Sequence, residues 1–133
     1  MRAHRDAEQA FELAAAAADP DPAPLSASTA EPMLGRRISI LEARQTQGWV
    51  SSWPSNSVHR RDVVDYELID DRTAELEVCV VDDAVLTDRD TGEVINAEVG
   101  IHRQRHVFEL VGSIWKLTGR TTVASGEAAR CDD

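Results

Sequence analysis

The apolar positions of this chain change period once, from helical spacing before Gly48 to alternation of every second residue after it. Ala7, Ala10, Phe11, Ala14 and Ala18 predict an amphipathic helix from about Ala3 to Ala18, with Asp6, Glu8, Gln9 and Glu12 covering much of its remaining surface. The stripe is mostly alanine, which permits close approach to a sheet but contributes modest burial. Asp19-Pro20-Asp21-Pro22-Ala23-Pro24 ends that helix, because proline lacks the N–H donor and disfavours helix in the residue before it; the stretch reads as a linker. A second helix begins near Ser28, which stands at capping-box spacing from Glu31, and Pro32 is tolerated in its first turn. Leu34, Ile38 and Leu41 form its stripe and Gly48 stops it, while Gly35 leaves open a short helix followed by a longer one.

From Gly48 onward the pattern predicts strands. Trp49 to Trp53 is a short one stopped by Pro54, and Val58 to Ile69 a long one closed by an Asp70-Asp71-Arg72 turn. Ala74, Leu76, Val78 and Val80 then alternate with Glu75, Glu77 and Cys79. A loop at Asp88-Arg89-Asp90-Thr91-Gly92 leads to Val94, a further strand runs from about Ile101 to Val111, and Gly112-Ser113 turns into the last, Ile114 to Val123. Helices first and a meander of antiparallel strands afterwards predict an α+β domain. Residues 124–133 read as a polar tail for which Cys131 is the one source of order.

Length and charge narrow the picture. The 133 residues fit one domain, 1–133, large enough to fold without a metal. A net charge of −10 and a pI near 4.7 exclude nucleic acid as a partner, since phosphates must be met by clustered Lys and Arg, and Lys116 is the only lysine. The same charge disfavours an anionic membrane surface. No apolar run approaches the ~20 residues of a membrane span, and no secretion signal precedes the first helix. Read literally, this is a cytoplasmic protein; because the chain starts inside what reads as a helix, removal of a leader or N-terminal anchor stays open, and a membrane would be met only through such an anchor.

Several stretches occur in order that together resemble a known family. Two N-terminal helices and the Gly48-Trp49 junction precede Asp71-Arg-Thr-Ala-Glu-Leu-Glu-Val-Cys79, Asp90-Thr-Gly-Glu-Val94 and Ile114-Trp-Lys-Leu117. This resembles the nuclear-transport-factor-2-like (SnoaL-like) superfamily over most of residues 5–131, and within it small secreted or lipid-anchored actinobacterial proteins. The turn before Trp115 reads Gly-Ser-Ile where that family usually has Asp-Gly-Arg. The resemblance implies a cystatin-like cone, with N-terminal helices packed on a curved, mostly antiparallel sheet. It implies a homodimer through the outer sheet face, and an extracytoplasmic protein whose Cys79 and Cys131 form a disulfide that folds the tail across that face. Such a bridge would stabilise the fold by roughly 4 kcal/mol in the chain-entropy model; in a reducing cytosol both cysteines would be free thiols.

If the cone is open, its pocket follows from alternation. Tyr66 shares a face with Val64 and Leu68, and His106 with Gln104, Phe108 and Leu110, while Arg103 and Arg105 point the other way. Phe11, Trp49, Tyr66, Gln104, His106 and Phe108 are thus the candidate lining, suited to a small apolar ligand. Metal binding is not expected. His102 and His106 lie roughly 13 Å apart along one strand, and the Asp88–Gly92 turn lacks the bidentate Glu of a calcium loop. No cofactor motif is present, and no catalytic set emerges, because Asp65 and Glu67 oppose Tyr66 and the serines sit in turns. The expected function is a non-catalytic extracytoplasmic interaction or ligand-binding module. The alternative is a small-molecule isomerase or hydrolase working in the cone cavity.

Overall fold

Local chemistry places the helices in this computed structural model, which describes residues 2–131. The alanine stripe of α1 (Arg2–Ala17) turns Ala7 and Ala15 inward, together with His4 and Glu8. The proline-rich segment does more than break α1. The Asp21 carboxylate accepts the Ala23 N–H at 3.1 Å, and proline suits a first helical turn, so Pro22–Ser26 forms the short helix α2. Ser28 does not cap a helix. Its carbonyl accepts the Leu117 N–H at 2.9 Å while the Ala30 N–H donates to the Leu117 carbonyl at 2.8 Å, which ties this segment to the last strand. Helix α3 (Met33–Gln47) begins later, where the Glu31 carboxylate accepts the Gly35 N–H at 2.8 Å. Gly48 ends it at φ +76°, a left-handed conformation that favours glycine.

The strands form two antiparallel sheets where the alternation alone suggested one. β1 (Trp49–Ser52), β4 (Val85–Asp88) and β5 (Val94–Asn96) make a small sheet in the order β1-β4-β5. The large sheet has the order β2-β3-β6-β7, from β2 (Arg60–Asp70), β3 (Thr73–Asp82), β6 (Gly100–Val111) and β7 (Ile114–Ser125). The division falls after Asp82. There the Asp83 carboxylate accepts the Ser57 hydroxyl and the Val58 N–H, both at 2.7 Å, so the chain leaves β3 at a fixed corner and continues into β4.

One face of the large sheet packs on the helices. Leu76, Val78 and Val80 of β3, Phe108 of β6 and Leu117 of β7 join Ala7 and Met33 in the main core. Between β2 and β3 the register shifts at Val64, so Tyr66 opposes Leu76 and shares its face with Val63 and Leu68; Val64 is the extra residue of the bulge. The outer face is charged. Arg103 pairs with Glu77 at 3.5 Å and Arg105 with Glu75 at 3.6 Å across neighbouring strands. Cys79, on the same outer face, is bonded to Cys131 with the two Cα atoms 5.4 Å apart. Residues 126–129 form a 3₁₀ turn over that face, held by Arg103, whose Nε donates to the Ala129 carbonyl at 2.7 Å and whose Nη2 donates to the Arg130 carbonyl at 3.0 Å.

Candidate functional site

Between the helices and the sheet, part of the interior is ionic. His4 and Glu8 stand one turn apart on the same face of α1, as residues four apart must. Arg37 lies within the apolar stripe of α3 and is fully buried, as is His106 on β6. The Arg37 guanidinium donates to Glu8 Oε1 at 2.7 Å and to the Ala7 carbonyl at 3.1 Å, and its carbon sits 4.7 Å above the Phe11 ring. The second Glu8 oxygen meets Arg61 Nε at 3.2 Å. His106 Nε2 lies 2.9 Å from Gln104 Oε1; with that oxygen accepting, the neutral ring carries its proton on Nε2. The His4 and His106 rings are 5.0 Å apart.

These contacts set the protonation states. Burial opposes ionisation of Glu8, but the Arg37 charge and hydrogen bond, helped by Arg61, outweigh it and hold the carboxyl at about 2. Burial, reinforced by Arg120 and Arg37 and only partly offset by Glu8, pushes His106 down to about 3. Burial also lowers His4. At neutral pH the set is therefore two neutral imidazoles beside one carboxylate shared by two guanidiniums. His4, Glu8 and His106 offer ligand atoms within 4.8 Å of one another, a grouping of metal-ligand types. A divalent cation there would face Arg37 and Arg61 across the one carboxylate, which both already occupy.

The network makes the protein acid-labile. Histidines whose folded pKa lies below the usual 6.5 contribute stability that is complete above that pH and lost as pH falls through the folded value, which for His106 is about 3. Glu8 adds a second loss between 4.5 and about 2. Unfolding free energy measured by urea titration should hold near pH 7 and fall steadily below pH ~6. In His106→Gln the slope between pH 6 and 4 should be clearly shallower; an unchanged slope would show that His106 is not held neutral.

Beyond the network, at the mouth between α1, α3 and the strands, lies a cleft of about 180 Å³. Its walls include the aromatics Phe11 and Trp53, the cations Arg44, Arg61 and Arg120 and the carboxylate of Asp82, with His59 between Glu12 and Asp82. His59 Nε2 is 3.1 Å from Glu12, its ring 5.8 Å from Trp53, and Arg61 also pairs with Glu12. Of the pocket residues expected from alternation, Gln104, His106 and Phe108 lie together in the interior and Phe11 lines the cleft. Trp49 is half-buried opposite Asp88 in the small sheet. Tyr66 is 59% exposed on β2.

The ionic residues were partly legible. Arg37 interrupts an apolar stripe at Leu34, Ile38 and Leu41, and His4 and Glu8 are four apart on a helix, both signs of a buried polar group. Nothing in the sequence joins them to Arg61, Arg120, Trp53 and His59, which reach the site only through the sheet.

Helices packed on one face of a curved antiparallel sheet define the nuclear-transport-factor-2-like cone fold, and this chain has it. No family model matches the chain, and no curated protein sequence matches it. Solved structures do. The intermembrane space region of the chloroplast protein ARC6 aligns at TM-score 0.74 and 17% identity, over 92% of each chain. A scytalone dehydratase-like protein from Novosphingobium aromaticivorans aligns at 0.55 and 16%, covering 95% of this chain and 85% of the other. A ketosteroid isomerase-like protein from Erwinia carotovora atroseptica aligns at 0.51 and 9%, covering 89% and 92%. At such identities the likeness establishes the fold.

Proposed function

We propose that this domain is a non-catalytic interaction module that works outside the cytoplasmic membrane and pairs with a second copy of itself through the open edge of β2. The observation that carries the reading is where apolar surface remains. The cone interior is filled by its own Phe108, Arg37, Glu8 and His106, whereas Val63, Val64, Tyr66, Leu68 and Ile69 are exposed along one edge strand. Proteins usually blunt such edges with lysine, proline, brevity or bulges; β2 has 11 residues and neither lysine nor proline, and bulges interrupt its register at Val64 and between Leu68 and Asp70.

Charge selects the occupant. Arg60 opens β2, where it pairs with Asp62 at 3.3 Å and donates to the Cys131 carbonyl at 3.2 Å, and Glu67, Asp70 and Asp71 crowd its end. Two copies laid antiparallel about a twofold axis set the basic start of each strand against the acidic end of the other, with one sheet continuous across both. The charged outer face is a poorer dimer surface, since the 3₁₀ turn of residues 126–129 already lies over it, held by Arg103. The disulfide is the kind of bond that persists in oxidising compartments, which supports the extracytoplasmic placement, and the similar ARC6 region lies in an intermembrane space. A catalytic use of the interior has less support, because the buried Glu8 carboxylate is ion-paired with both Arg37 and Arg61.

Sedimentation from 1 to 300 µM tests this directly. A mass twice the 14.6 kDa chain is expected at the upper end, with self-association weakened at least tenfold in Tyr66→Glu/Leu68→Glu. Both positions are exposed, so the variant should keep the wild-type circular dichroism. A monomer throughout, or a dimer indifferent to the substitutions, would overturn the β2 interface.

A further inference from the structure

The cleft at the cone mouth is lined by three guanidiniums, Arg44, Arg61 and Arg120, and three carboxylates, Glu8, Glu12 and Asp82, and it still leaves particular donors without an acceptor. Glu8 is shared by Arg37 and Arg61, and Glu12 by Arg61 and His59. Arg44 donates to the Ser51 hydroxyl at 3.0 Å, and the Asp82 carboxylate in the same wall acts on its charge; Arg120 makes no hydrogen bond or ion pair among the described residues. The Trp53 indole N–H, also in this wall, is buried without an acceptor among the described residues. An indole N–H can only donate, and a guanidinium cannot give up its proton, so an acceptor brought into the cleft by a ligand would satisfy donors that the described side chains do not.

We propose that this cleft is a binding site for a small organic carboxylate, its two oxygens received by Arg44, Arg120 and the Trp53 indole N–H. The chemistry fits because a planar carboxylate matches guanidinium geometry and accepts several N–H donors at once. Size restricts the ligand. A cleft of about 180 Å³ has the liquid volume of about six waters, below the range of drug-sized pockets, so the body must be small. The Trp53 ring offers that body a flat apolar wall. The site is independent of the β2 edge, and either can fail without the other.

The test follows the indole N–H signals of nitrogen-15-labelled protein during titration with sodium benzoate, and separately with sodium acetate, at constant ionic strength. The Trp53 signal, assigned by Trp53→Phe, should shift saturably with one of them at millimolar concentrations. Arg120→Gln should weaken that binding at least tenfold, and Arg44→Gln, at a more open position, should do so if Arg120→Gln fails to fold. No saturable shift up to 50 mM, equal affinity in a folded variant, or an equal response to chloride and phosphate would each overturn the proposal.

Discussion

Arg37→Met should be among the most damaging single substitutions in this protein, at a cost of about 3 kcal/mol or more. The loss does not come mainly from a missing attraction. Burying an ion pair is expensive, and removing the cation leaves the Glu8 carboxylate in the interior without its 2.7 Å partner. Arg61 remains at 3.2 Å, which keeps the expected cost toward the lower end of the ~3–5 kcal/mol range for broken buried pairs. Because a domain of this size is stable by only about 5–15 kcal/mol, such a loss should be plain in the urea midpoint. The double variant Arg37→Met/Glu8→Leu should recover much of the loss, since replacing both charges by hydrocarbon removes the unpaired group. A single substitution costing under ~1 kcal/mol would mean that water reaches Glu8 and the interior is not sealed.

Reduction of the Cys79–Cys131 bond should have the next largest effect. The bridge spans a sequence separation of 52 residues, so the chain-entropy model assigns it about 4 kcal/mol, and measured bridges typically contribute ~2–4. Cys79→Ser/Cys131→Ser should therefore lower the thermal midpoint by roughly 10 °C. A second readout separates bridge from tail. The 3₁₀ turn is held to the sheet by Arg103 and, at Cys131, by Arg60. Amides of residues 126–131 should exchange quickly in the double-serine variant while those of β3 and β6 stay protected from local opening. A midpoint unchanged by reductant would show that the tail is held without the bond.

The period change at Gly48 made the α+β class legible, and the alternation of β3 identified Leu76, Val78 and Val80 as inward and Cys79 as outward. Hydrophobic pattern reports which face is buried, and for regular stretches that is enough. It failed where a polar group replaced the expected signal. The proline-rich segment contains a helix because the Asp21 side chain supplies a cap, and the second helix starts late because residues 28–30 pair with Leu117. Alternation also placed Tyr66 beside Val64, since one extra residue in a strand exchanges the faces of everything beyond it and leaves no mark in composition.

What the chain carries locally is therefore its class, its main strands, its net negative charge and the cysteines available for a bridge. Those follow from residue type and spacing within a few turns or one strand. The filling of the cone, the exposure of apolar side chains on β2 and the gathering of charges at the mouth were decided by tertiary contact. Arg37 meets Glu8 across 29 positions and His59 meets Glu12 across 47. A charge has no preferred partner until the fold removes the water that would otherwise solvate it.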